Sequence, residues 1–101
     1  MDCISLGGLV EIKTQEALII LQEECAEVIQ EVSKCFRFGI TNLNKDGVRH
    51  SVMLNTEVGD MLALVDILVD QGILDPNALD FAKQNKIEKL KKWSKLYEKD
   101  C

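Results

Sequence analysis

The sequence predicts an all-α chain, a helical bundle of three main helices completed by oligomerisation. Three observations carry that expectation. No stretch alternates apolar and polar residues for long enough to make a strand. Apolar residues instead recur at steps of three and four along extended runs, the period of one helix face. The runs are punctuated by helix stops and starts, namely Gly39, Gly72 and the pair Asp75–Pro76. With 101 residues and 47 % apolar content the chain is one domain, residues 1–101, whose small core would grow by assembly with further copies.

Residues 1–13 are short and mixed, and Gly7 and Gly8 argue against a stable early helix. Thr14 is the expected N-cap of the first helix, with Glu16 in its first turn. Leu18, Leu21, Cys25, Val28, Val32 and Cys35 then mark its apolar side, and the helix ends near Phe38 and Gly39. Residues 39–50 read as a loop built on Asn, Asp and Gly. Asn42, Asn44 and Asp46 imitate a calcium loop, but Met53 stands where the bidentate Glu would be, so a tight turn of type I′ or similar is the better account. A second helix runs from about Ser51 to Gln71, stopped by Gly72. Asp75 and Pro76 open a third, carried through Leu79, Phe81, Ile87, Leu90, Trp93 and Tyr97, with lysines on its solvated face. Phe81 and Trp93 are expected in a core or an interface.

Net charge of −5 argues against a nucleic-acid polymer as partner. The charge is uneven: residues 1–78 carry thirteen acids and five bases, residues 79–101 four acids and seven lysines. An acidic body bears a basic closing helix. Cys3, Cys25, Cys35 and Cys101 show no Cys-x-x-Cys spacing and read as reduced thiols. Neither a membrane span nor a signal peptide is visible, so no membrane partner and a cytoplasmic location are expected.

The stretch Leu21 to Ser33, LQEECAEVIQEVS, sets Glu23, Glu24, Glu27 and Glu31 into an apolar helical run. At about 100° per residue, Glu24, Glu27 and Glu31 share one stripe and Glu23 sits a step to the side. Like charges at this spacing repel by a few tenths of a kcal/mol each, so the stripe favours free solvation or a cation. Glu57 and Asp60 repeat the three-residue step on the second helix, so two acidic pairs could face each other. Hard divalent cations take such oxygen ligands, and magnesium keeps positions open for water and phosphate. The single His50 leaves no Glu-x-x-His pairs for a di-iron site and no Cys/His set for zinc, and by itself reads as structural or exposed.

The pattern Glu-Glu-x-x-Glu at Glu23, Glu24 and Glu27, followed about thirty residues on by Glu-x-x-Asp at Glu57 and Asp60, resembles the MazG-like members of the all-α nucleoside triphosphate pyrophosphohydrolases. The likeness spans roughly residues 14–97 and includes the EVGDML context of Glu57. It implies hydrolysis of a nucleoside or deoxynucleoside triphosphate between the α and β phosphates, giving monophosphate and pyrophosphate. It implies Mg2+, with Mn2+ able to substitute, held by Glu24, Glu27, Glu57 and Asp60. Glu23 would be a further ligand or the group orienting the attacking water, and Glu23 with Glu24 the catalytic pair. Cations at such a site neutralise the triphosphate and lower the pKa of a bound water.

Arg37, Asn85, Lys86 and Lys89 are the candidate phosphate and substrate contacts, since ammonium and guanidinium groups pair with phosphate. Phe36, Arg37, Phe38 and the loop to His50 are candidates for base recognition. The resemblance further implies a homodimer or homotetramer. Compact members of the family include phage-encoded ones, some acting on guanine nucleotides, so dGTP or GTP is a substrate it offers. The alternative is a non-catalytic helical dimerisation or regulatory module. It explains the amphipathic helices equally well and requires the acids to be exposed or paired to lysine.

Overall fold

The computed structural model describes residues 11–99. Expectations for residues 1–10, including Cys3, and for Cys101 lie outside them. The described chain is all-α, as its periodicity requires: α1 Ile12–Phe38, α2 His50–Asp70 and α3 Pro76–Trp93. An isolated bridge between Leu43 and Arg49 is the single piece of extended pairing among the described residues. No described helix is long and apolar enough to cross a membrane.

α1 begins earlier than expected, and Thr14 is not its cap. Glu11 occupies the N-cap position and its side chain makes no capping bond. Thr14 is instead buried inside the helix, where its hydroxyl donates to Gln71 Oε1 at 3.1 Å. A residue expected to serve its own helix end thus ties α1 to the far end of α2. The C-terminus of α1 is as expected: Gly39 takes φ 96° and donates to Cys35 O at 3.0 Å. The Asn42 amide donates to Phe38 O. In the loop, Asn44 Oδ1 accepts from Asp46 N at 2.8 Å and Val48 N at 2.9 Å, and Gly47 N closes the turn onto Asn44 O at 3.0 Å. That side-chain oxygen is spent on the backbone, which is turn chemistry.

α2 closes in a Schellman motif, with Gly72 at φ 77°, Gly72 N donating to Val69 O and Ile73 N to Leu68 O, both at 2.9 Å. Asp75 caps α3 by accepting from Asn77 N, and Pro76 fills the first position. α3 stops at Trp93, short of Tyr97. Ser94 is extended, and its hydroxyl donates back to Leu90 O at 2.8 Å and accepts from Leu96 N at 3.2 Å, local bonds that stand where the next helical turn would be.

α1 and α2 pack as an antiparallel hairpin, whereas α3 does not pack along either. The buried apolar core is Ala17, Leu64 and Leu68, with Ile20, Leu21 and Leu74 against it. It fills the open end of the hairpin, away from the loop. Leu18 and Val32, expected on the inner side of α1, are exposed, because the inner stripe runs through Thr14, Ala17, Leu21, Glu24, Val28 and Glu31. Phe81 and Trp93 are 68 % and 82 % exposed, so within one chain neither is core.

Candidate metal centre

The register of the hairpin places the acids. With Thr14 opposite Gln71 and Ala17 beside Leu68, an antiparallel partner sets Glu24 opposite Asp60 and Glu27 opposite Glu57. Two three-residue steps on helices running in opposite directions therefore meet as two facing pairs. Oxygens of Glu24, Glu57 and Asp60 all lie within 4.8 Å of one another, midway between the apolar plug and the loop. Glu24 and Glu57 are half-buried and Asp60 is exposed, so the group opens to one side of the hairpin.

Crowding shows in the proton affinities. Glu24 is held above its ordinary 4.5 first by loss of water around it, then by the charge and proximity of Glu27, then by Asp60 and Glu57. Glu57 is raised first by desolvation, then by Glu27, Asp60 and Glu31. Glu27 is exposed yet close enough to raise both. Glu24 Oε1 is buried with no hydrogen-bond partner. A carboxylate oxygen withheld from both water and donors is costly unless a cation or a proton neutralises it.

Glu31 is the member whose role the sequence did not disclose. It shared the acidic stripe, but nothing marked it as different from its neighbours. It is 4 % exposed, its Oε2 is bridged by Lys34 Nζ at 3.4 Å, and its Oε1 has no partner. The signal available was its three-residue offset from Lys34, a helical ion-pair spacing. Glu23 is exposed and lies outside the carboxylate group. Arg37 is exposed with its guanidinium 4.9 Å from the centroid of the Phe38 ring. Asn85, Lys86 and Lys89 ride on α3, Asn85 and Lys89 beside Trp93 in a shallow hollow, and α3 does not bring them to the acids within one chain. His50, read as structural or exposed, is 4 % exposed and stacked on Phe38 with centroids 5.6 Å apart.

The donor set is all oxygen, the ligand type of hard cations such as Mg2+, Mn2+ and Ca2+. Comparison with protein families, with curated proteins and with solved structures finds no match to this chain.

Proposed function

We propose that the protein is a compact MazG-like nucleoside triphosphate pyrophosphohydrolase, dependent on Mg2+ or Mn2+, cleaving a (deoxy)nucleoside triphosphate to monophosphate and pyrophosphate. The observation that carries this reading is the meeting of Glu24, Glu57 and Asp60 oxygens within 4.8 Å from two helices. The buried, unpartnered Glu24 Oε1 supports it, because a solvated acidic face would leave no such atom. Glu24, Glu57 and Asp60 would hold the cation, and Glu27, crowding two of them, completes the set. Bound there, the ion supplies positive charge to the phosphate oxygens and acidifies water. Glu23, exposed one step to the side, would be the group that orients that water and takes its proton. Lys34 neutralises Glu31 and so limits the negative charge that an incoming polyphosphate meets.

The lysines of α3 reach phosphate only from a second copy, which ties this reading to a homodimer or homotetramer in the cytoplasm. Guanine nucleotides are the substrates that the resemblance offers first. The alternative, a non-catalytic dimerisation module, shares the amphipathic helices and leaves the orphaned carboxylate oxygens without a purpose.

The test is product analysis by ion exchange after incubation with Mg2+ or Mn2+ and each common ribo- and deoxyribonucleoside triphosphate. Monophosphate with pyrophosphate and no diphosphate is the expected result, and Asp60→Asn abolishes it while leaving the fold intact. Intact triphosphates with both metals would overturn the reading in favour of the binding module.

A further inference from the structure

The loop end of the hairpin holds an open cleft of about 630 Å³ between the end of α1, the loop and the start of α2. Its size is that of a small-molecule site. Lys34, which bridges Glu31 at 3.4 Å, also lines this cleft, and Met53 lies one turn before Glu57 on α2. The cleft therefore lies one helical turn from the acidic stripe on each helix, with Lys34 between them.

Three features give the cleft a ligand chemistry. Phe38 and Met53 form apolar walls, and Phe38 stacks on His50 at an interplanar angle of 21°. The side-chain amides of Asn42 and Asn44 are each half committed. Asn42 donates its Nδ2 to Phe38 O and keeps Oδ1 as an acceptor, while Asn44 spends Oδ1 on Asp46 N and Val48 N and keeps Nδ2 as a donor. These bonds fix which amide atom is which. His50 also lines the cleft, with its Nδ1 turned away from solvent. An aromatic and thioether wall beside an unspent amide acceptor and an unspent amide donor suits a planar heterocycle with hydrogen-bonding edges.

We propose that this cleft receives the heterocyclic base of a nucleoside phosphate, with Lys34 contacting the phosphate nearest the sugar as the chain of phosphates passes toward the acids. The proposal rests on the pyrophosphohydrolase reading for the direction in which the phosphates run. It separates the base-recognition candidates: Phe38 and His50 line the cleft, while Phe36 lies with Val32 and Leu54 along a different groove.

His50 is the one histidine of the chain, so its imidazole carbon-bound protons are a private reporter by NMR. The full chain is titrated in EDTA with each nucleoside 5′-monophosphate and, as a control, ribose 5-phosphate. A saturable shift of the His50 signals with at least one monophosphate, none with ribose 5-phosphate, and affinity about tenfold weaker in Phe38→Ala are the expected results. Phe38→Leu keeps the apolar bulk and serves if the alanine variant fails to fold. Unmoved signals up to about 10 mM of every monophosphate overturn the proposal. So does an equal response to ribose 5-phosphate, which would show an anion site without base recognition, and so does unchanged affinity in the Phe38 variants. The absence of metal keeps this result apart from turnover: a silent cleft beside active carboxylates sinks the base site alone.

Discussion

At the scale of single residues, the acids set a pH dependence of defined sign. Glu24 and Glu57 keep their protons above the ordinary 4.5 in the folded chain. Between 4.5 and those raised values the native state holds more protons than the unfolded one, so without metal their contribution to stability is present at low pH and is lost as pH rises. Glu57→Gln removes one charge from the crowd. In EDTA its urea midpoint matches that of the parent chain below about pH 4 and exceeds it near neutrality. Equal midpoints at pH 7 would mean that the carboxylates do not repel as their geometry requires. Metal reverses the order. At a hundredfold excess over the dissociation constant, a cation stabilises by about 2.7 kcal/mol, or roughly 10–20 °C of melting temperature for a chain of this size. The parent gains that increment with millimolar Mg2+ or Mn2+, and Glu57→Gln loses most of it. A parent chain that melts at the same temperature with and without metal would remove the cation from the site.

At the scale of elements, two glycines make opposite predictions. Gly39 turns the chain out of α1 at φ 96°, and a Cβ there would lie 2.8 Å from Asn42 Nδ2, the group that caps Phe38 O. Gly39→Ala therefore costs about 1–3 kcal/mol of backbone strain. Gly59 is a helical position with open space where a Cβ would point, so Gly59→Ala stabilises α2 by about 0.5–1 kcal/mol. Thermal melts of the two variants should move in opposite directions, and a shared sign would show that the hairpin is not organised as described. These elements were legible because each stop is local: Gly39, Gly72 and Asp75–Pro76 act through their own backbone. That two acidic pairs could face each other was legible too, since both helices carry a three-residue acidic step, but the register that brings them together was not. The role of Thr14 was not. A threonine reads as a cap until the partner helix is present, and Gln71 lies 57 residues away. The buried state of Glu31 and His50 was hidden for the same reason, as each depends on α1 meeting α2.

At the scale of the whole molecule, the chain is one layer where a domain needs two. Its extents are 55 × 39 × 18 Å and its radius of gyration is 17.6 Å, against about 13 Å for a compact domain of this length. Packed layers of helices bury their apolar faces on each other, yet among the described residues only Ala17, Leu64 and Leu68 are buried apolar residues. The unburied surface is not scattered. On α1 the exposed Leu18, Ile29, Val32 and Phe36, with half-buried Cys25 among them, follow steps of three, four and seven, the seam spacing of packed helices, and Ile29 and Phe36 are 69 % and 87 % exposed. Phe36 lies nine residues from Glu27, half a turn around the helix at about 100° per residue, so the seam and the acids occupy different sides. Leu54 of α2 joins Val32 and Phe36 along the same groove. Two hairpins meeting on that side make a four-helix bundle and leave both acidic groups open. The basic α3, unpacked on its own hairpin, is then free to lie over the acidic body of the other copy, where opposite charge favours it. Sedimentation equilibrium should therefore return a multiple of the 11.4 kDa chain mass, with a melting temperature that rises with protein concentration. Ile29→Asp with Phe36→Asp puts two charges into the seam and should yield monomers of lower stability. Turnover would fall with assembly if the partner's lysines contact phosphate. A parent chain that sediments as a monomer at micromolar concentration and melts independently of concentration would show that the exposed seam is not covered by a second copy.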